Sequence, residues 1–230
     1  MRRREFLSAG IVAAGTAAIA TSGFSTQLFA ATKEQPLQVL ALVFDDYETL
    51  DLHGPIEMIG HMKNVEIKLV GPKSIIRSYQ GPKVVADILM DQVTPCDLFI
   101  VPGGLGTRQL VEDKQMQAWL KKQASVSKKV FSICTGSALL ATSGLLNGLN
   151  ATTNKMAYNW VTSLSDKTNW HPSARWVDDG KYLTSSGVSA GIDAALFYIS
   201  QQAGMDEAKR IERLTEYHWN DDASQDPYAV

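Results

Sequence analysis

Cys134 lies in the run FSICTGSALLATSGLLNG, where a β-prone stretch, Val130 to Ile133, gives way to small and helix-forming residues. A cysteine at such a strand-to-helix junction has the geometry of a nucleophile elbow, although the sequence is not GxSxG. Its sulfur would meet unpaired N–H groups at the positive end of a helix, which favour thiolate over thiol. Thr135 adds a hydroxyl and an amide beside it, and Gly136 removes a side chain that would crowd the turn. Position alone also fits a second reading, a small buried residue that merely ends a strand.

Two more polar features bear on that sulfur. Asp45, Asp46, Glu48 and Asp51 follow the first apolar run, and most such clusters are solvated loops. Asp51 differs, because Leu50 and Leu52 flank it and Gly54 follows three residues on, so partial burial is expected. Burial beside a thiolate would raise its pKa and let it exchange protons near neutral pH. Pro102, Gly103 and Gly104 follow a later apolar run. The amides of Gly103 and Gly104, with that of Thr135, make a candidate oxyanion hole; a turn needing positive φ explains the glycines as well. His53, His61, His171 and His218 show no ligand spacing, so no metal site is expected. PGGLGT has neither the spacing of GxGxxG nor a P-loop lysine, and Trp160, Trp170, Trp176 and Trp219 read as packing residues, so no cofactor is expected.

The elements that must hold these residues alternate. Leu37 to Phe44 reads as a buried first strand, and Gly54 and Pro55 as the N-cap and first position of a helix to about His61. Glu66 to Gly71, Asp97 to Val101 and Val130 to Ile133 read as three further strands. Arg108 to Ala124 has the pattern of one amphipathic helix, and Thr135 to Leu146 that of another, closed by Asn147 and Gly148. Ala174 to Val177 and Tyr182 to Thr184 flank a DDG turn as a hairpin. Ser189 can cap a helix ending near Gly204, and Asp206 a last one with Ala208, Ile211, Leu214 and His218 along one stripe. The alternation predicts an α/β fold with a parallel sheet covered on both faces. Ligands of such sheets bind beyond the carboxyl ends of the strands, where all three polar features fall.

The chain has 230 residues, 45% hydrophobic and 20% charged, which excludes a disordered, collagenous or membrane-embedded class. A net charge of -2 argues against nucleic acid or an anionic membrane as main partner. Arg2 to Arg4, an apolar stretch from Ala9 to Ala20 and small residues down to Ala30 and Ala31 follow the order of an export signal, and the apolar part is too short to span a bilayer. Arg3, Arg4, Phe6 and Leu7 fit the twin-arginine pattern. Residues 1–31 are therefore expected to be a cleaved signal and 37–230 one domain, located in the periplasm and free of the membrane after cleavage. Cys96 and Cys134 could pair in that compartment. Their strands place them at opposite edges of the sheet, more than roughly 10 Å apart and beyond the reach of a disulfide, so Cys134 is expected to be a free thiol.

These residues together resemble the DJ-1/PfpI (ThiJ) superfamily. The marks are LDLHGPIEM, DLFIVPGG, FSICTGSALLATSGLLNG, the ATT of Ala151 to Thr153, and SSGVSAGID from Ser185 to Asp193. The resemblance implies a flavodoxin-like open, mostly parallel sheet flanked by helices, a homodimer and no cofactor, with Gly103, Gly136 and Gly187 shaping the site. CTGS with LDLxGP looks most like the isonitrile hydratase branch, whose functional cysteine, following threonine and aspartate match Cys134, Thr135 and Asp51. The implied reaction is cysteine-dependent hydration of an organic isonitrile to the N-substituted formamide. Glyoxalase or amidase-type chemistry and a non-enzymatic thiol sensor are the alternatives. Two departures bear on the substrate: Asn154 and Lys155 stand where many relatives have His-Trp, and Ser185 and Ser186 precede Gly187 where relatives often carry glycines. Thr135 occupies the place of the histidine that peptidase, glyoxalase and deglycase members put after the cysteine, which argues against a Cys-His mechanism.

Overall fold

The computed structural model describes residues 35–230, so the expected export signal lies outside the described residues. Along the chain come β1 (Leu37–Leu42), α1 (Thr49–Gly60), β2 (Val65–Gly71), β3 (Ile75–Arg77), β4 (Lys83–Val85), β5 (Ile88–Leu89), β6 (Cys96–Val101), α2 (Thr107–Leu110) and α3 (Lys114–Val126). There follow β7 (Ser127–Ile133), α4 (Gly136–Thr142), β8 (Asn150–Ala151), α5 (Tyr158–Ser163), β9 (Asn169–Trp170), β10 (Trp176–Asp179), β11 (Tyr182–Ser185), α6 (Ala190–Ala203) and α7 (Met205–Leu214).

Seven strands form one sheet in the order β10-β11-β7-β6-β1-β2-β5, parallel except where β10 runs against β11. The chain moves from β1 outward through β2 in one direction and from β6 through β7 in the other. Right-handed crossovers then put α1 and α3 on opposite faces, and the loops after β1 and β6 part at a switch point. The central strands are apolar on both sides, as a doubly covered sheet requires: Val39 to Phe44, Leu98 to Val101 and Val130 to Ile133 are buried almost throughout. Cys96 opens β6 opposite Ser127, whereas Cys134 follows the far end of β7, and both cysteines are free.

Several boundaries differ from the sequence reading for local reasons. Helix α1 begins at Thr49, more than a turn before Gly54, and carries Pro55 inside it. Proline there removes only the helical bond to the Asp51 carbonyl. Gly54 allows α6 to approach, since a Cβ would stand 2.7 Å from Ile192 Cγ1. The expected helix from Arg108 to Ala124 is two, because the Asp113 carboxylate accepts the N–H groups of Gln115 (2.8 Å) and Met116 (3.1 Å) and starts α3 afresh. Helix α4 stops at Thr142, where Gly144 takes the left-handed turn (φ 73°) expected further on. Ser189 stands at the N-cap of α6 without a side-chain cap bond. Asp206 lies in the first turn of α7, Leu214 is exposed, and His218 follows the helix.

Candidate active site

Three loops meet at the carboxyl edge of the sheet. Cys134, directly after β7, has φ 56°, a left-handed conformation that costs a residue with a Cβ on the order of 1–3 kcal/mol. Its backbone is tied on both sides. The Cys134 N–H donates to the carbonyls of Ser185 (3.2 Å) and Ser186 (3.1 Å), and its carbonyl accepts from Ser137 Oγ (3.0 Å) and Thr153 Oγ1 (3.0 Å). The ATT and SSG segments thus hold the elbow in its strained form, a role with no local signal in the sequence. Gly136 completes it, because a Cβ there would lie 2.1 Å from the Val101 carbonyl oxygen.

Asp51 sits in the first turn of α1 and is fully buried, more deeply than its sequence context implied. Its Oδ2 accepts the Gly103 N–H at 2.9 Å, and Oδ1 is buried with no hydrogen-bond partner. Burial, with a smaller push from the Glu48 charge, raises its pKa to about 7; the Gly103 amide, the Cys134 thiol and the Val188 amide favour the charged form. Burial and then the Asp51 carboxylate push the Cys134 thiol well up, the reverse of what a helix start alone predicts. The Thr135 and Val188 amides oppose that rise without cancelling it. Asp51 and Cys134 therefore titrate as a coupled pair, in which the carboxyl, at about 7, ionises before the thiol.

The glycine amides are not open donors. Gly103 N–H serves Asp51, and Gly104 N–H donates to Thr135 Oγ1 at 3.0 Å, which corrects the expectation that Gly104 leaves its amide free for a developing oxyanion. The Thr107 hydroxyl donates to the Gly104 carbonyl at 2.7 Å and lies 3.1 Å from Thr135 Oγ1. The hydroxyl of Thr135 is thereby committed to the β6 loop, leaving its amide for the sulfur. Gly103 cannot carry a side chain, since a Cβ would stand 2.5 Å from Thr135 N and 2.9 Å from Asp51 Oδ2. Gly187, set after β11, lies against Asn154, whose Nδ2 would be 2.0 Å from a Cβ at that position.

Cys134 is mostly covered, with 7% of its surface exposed, and it lines a cleft of about 290 Å³. Glu48, Arg108, Asn154, Met156 and Val188 share that cleft, and the site-level sequence reading missed Arg108 and Val188 as its walls. The Arg108 guanidinium lies 3.3 Å over the centroid of the Trp160 ring, so that tryptophan packs a site residue as well as the core. Among the described residues no group of His, Cys, Asp and Glu is clustered to hold a metal ion.

Known proteins of similar sequence share this framework. The chain is 32% identical over 182 residues to the isonitrile hydratase of Pseudomonas putida, covering 79% of this chain and 78% of that protein. It is 28% identical to protein DJ-1 homolog A of Arabidopsis thaliana, over 79% of this chain and 46% of the other. A crystal structure of a ThiJ/PfpI family protein from Pseudomonas syringae superposes with a TM-score of 0.72 at 26% identity, over 79% of this chain and 75% of that one. Residues 37–201 match the model of the DJ-1/PfpI family, and the chain belongs to that family.

Proposed function

We propose that the protein hydrates organic isonitriles to N-substituted formamides, with Cys134 as nucleophile and Asp51 as the acid and base. The observation that carries this reading is the pairing of a buried carboxyl, with pKa about 7 and one bare oxygen, with a cysteine held in a strained elbow at the cleft. A group that titrates near neutrality can give and take a proton in one cycle.

Asp51 carries the Cys134 proton to the terminal carbon of R–NC as the sulfur bonds to that carbon, giving the thioimidate R–N=CH–S–Cys134. In the second half the Asp51 carboxylate takes a proton from water, hydroxide adds to the same carbon, and the proton passes to nitrogen. Loss of the hydroxyl proton then forms C=O, breaks C–S and returns R–NH–CHO with the Cys134 thiol. The Thr135 and Val188 amides, which favour charge on the sulfur, stabilise it as it attacks and leaves.

Incubating the purified protein with cyclohexyl isocyanide and following N-cyclohexylformamide by NMR tests the assignment. Turnover that Cys134→Ala abolishes is the expected result, and a rate no higher than buffer rejects it. We further propose that the protein works as a periplasmic homodimer, which cell fractionation and sedimentation test.

A further inference from the structure

The cleft holds a cation that no carboxylate among the described residues neutralises. Arg108, in α2, is half-buried, and burial pulls its pKa down. Its side chain makes no ion pair with any described carboxylate, and its one hydrogen bond is a long contact of 3.5 Å to Thr107 Oγ1. Arg175, the guanidinium most withdrawn from water, shows what such a group otherwise acquires: it is bonded to Asp193, with Asp226 at 3.7 Å. Glu48 shares the Arg108 cleft, yet its carboxylate oxygens accept from Gln80 Nε2 at 2.7 and 2.8 Å and form no pair with Arg108.

The way Arg108 is held matters as much as its charge. Stacking on Trp160 at 3.3 Å uses the face of the guanidinium and fixes its plane, which leaves the in-plane N–H groups for a ligand. A planar fork of donors, already ordered and partly stripped of water, suits a carboxylate bound through both oxygens. Cys134 lines the same cleft, near enough for charge on its sulfur to act on Arg108. At about 290 Å³ the space admits only a compact molecule spanning the two groups.

The geometry points to a substrate that carries a carboxylate, bound by Arg108, on the same small molecule as the carbon attacked by Cys134. This deepens the hydratase reading, which supplies only the identity of that carbon: an isonitrile with an acidic substituent in place of a neutral alkyl group. The anion site itself stands on Arg108, Trp160 and the cleft.

Alkylation of the sulfur tests the site without calling on hydration. The rates at which iodoacetate and iodoacetamide modify Cys134 in the full protein, located by peptide mass, are compared with those for glutathione. The iodoacetate-to-iodoacetamide ratio is expected to exceed that of glutathione by about tenfold, the worth of one charge-assisted contact. The ratio should fall back in Arg108→Gln and be partly restored in Arg108→Lys. A wild-type ratio equal to that of glutathione overturns the proposal, and so does an Arg108→Gln protein, folded by circular dichroism, in which both rates fall together. A second arm compares kcat/KM for isocyanoacetate and its methyl ester. Preference for the acid that Arg108→Gln removes supports the proposal, and equal use of both overturns it. If neither isonitrile turns over, the hydratase reading fails while the alkylation ratio still decides the anion site.

Discussion

Asp51 and Asp193 are both fully buried, both lie in the first turn of a helix, and the two helices pack together through Gly54 against Ile192 and Gly191 against Pro55. Their surroundings differ in kind. Asp193 accepts from Arg175, from the Tyr217 hydroxyl at 3.1 Å and from the Asn220 amide at 3.0 Å, so both oxygens are satisfied and its charge is matched. Asp51 has the Gly103 amide at 2.9 Å, the Val188 amide and a thiol as neighbours and no cation, and its Oδ1 has no hydrogen-bond partner. Burial raises the pKa of both; at Asp193 the guanidinium opposes the rise first, whereas at Asp51 a second carboxylate, Glu48, adds to it. Equal depth thus gives a charge-matched carboxylate in one place and, in the function proposed above, a proton carrier in the other, and the partner set makes the difference.

Replacing each aspartate by asparagine should move stability in opposite directions. Asp193→Asn leaves Arg175 buried with Asp226 3.7 Å away, a loss of about 3–5 kcal/mol. Asp51→Asn removes a carboxyl that the folded state holds protonated up to about 7 while the unfolded chain ionises near 3.8. Between those values the native state binds the extra proton, so wild-type stability falls as pH rises from about 4 to 7 and is level above. The asparagine variant lacks that fall and should gain up to about 4 kcal/mol at pH 8, with little difference at pH 4. Its turnover should drop by about 10²–10⁴. Denaturant melts of both variants at pH 4 and 8 measure this. Loss of stability in both variants at pH 8 would mean that Asp51 is a structural group like Asp193.

A smaller effect sharpens the same contrast. The active form proposed here carries one proton on the Asp51–Cys134 pair. With the carboxyl titrating at about 7 and the thiol pushed well above its usual value, that form fills as pH rises through about 7 and persists into the alkaline range. The kcat/KM for a neutral isonitrile should climb to a plateau with an inflection near 7. A profile that falls across the same range would require the doubly protonated pair and a different first step.

The parts of this site that could be read from sequence are those whose signals are local. Apolar runs marked the central strands, and the change from VFSI to small residues marked Cys134 as their exit. The fold followed, because alternating strands and helices admit few arrangements. The start of α1 was misplaced because Gly54 and Pro55 are local signals for a helix beginning, overruled by the fit of Gly54 against Ile192 in α6. The amides of Gly103 and Gly104 looked free since their acceptors, Asp51 and Thr135, lie 52 and 31 positions away. Arg108 was hidden for the same reason, as it gains meaning only from Trp160 in α5 and from having no carboxylate partner among the described residues.

The elbow offers the finest test of how the two regions are held. Around Asp193 the fold relies on charge; around Cys134 it relies on neutral hydrogen bonds to the backbone of one strained residue. Thr153→Val keeps the shape of a fully buried side chain and removes the hydroxyl that bonds the Cys134 carbonyl at 3.0 Å, leaving Ser137 Oγ on that oxygen. One neutral bond is worth about 1 kcal/mol net, so the melting temperature should fall by about 2–4 °C for a domain of this size. The left-handed form of Cys134 is the strained one, so loosening its clamp should also lower turnover by up to about tenfold and change the rate at which iodoacetamide modifies the sulfur. A melt that shifts while turnover and alkylation stay at wild-type values would mean that Ser137, Ser185 and Ser186 hold the elbow unaided and that Thr153 only fills the core. A shift in all three makes the ATT segment part of what aims the sulfur, as the hydrogen bonds at Cys134 imply.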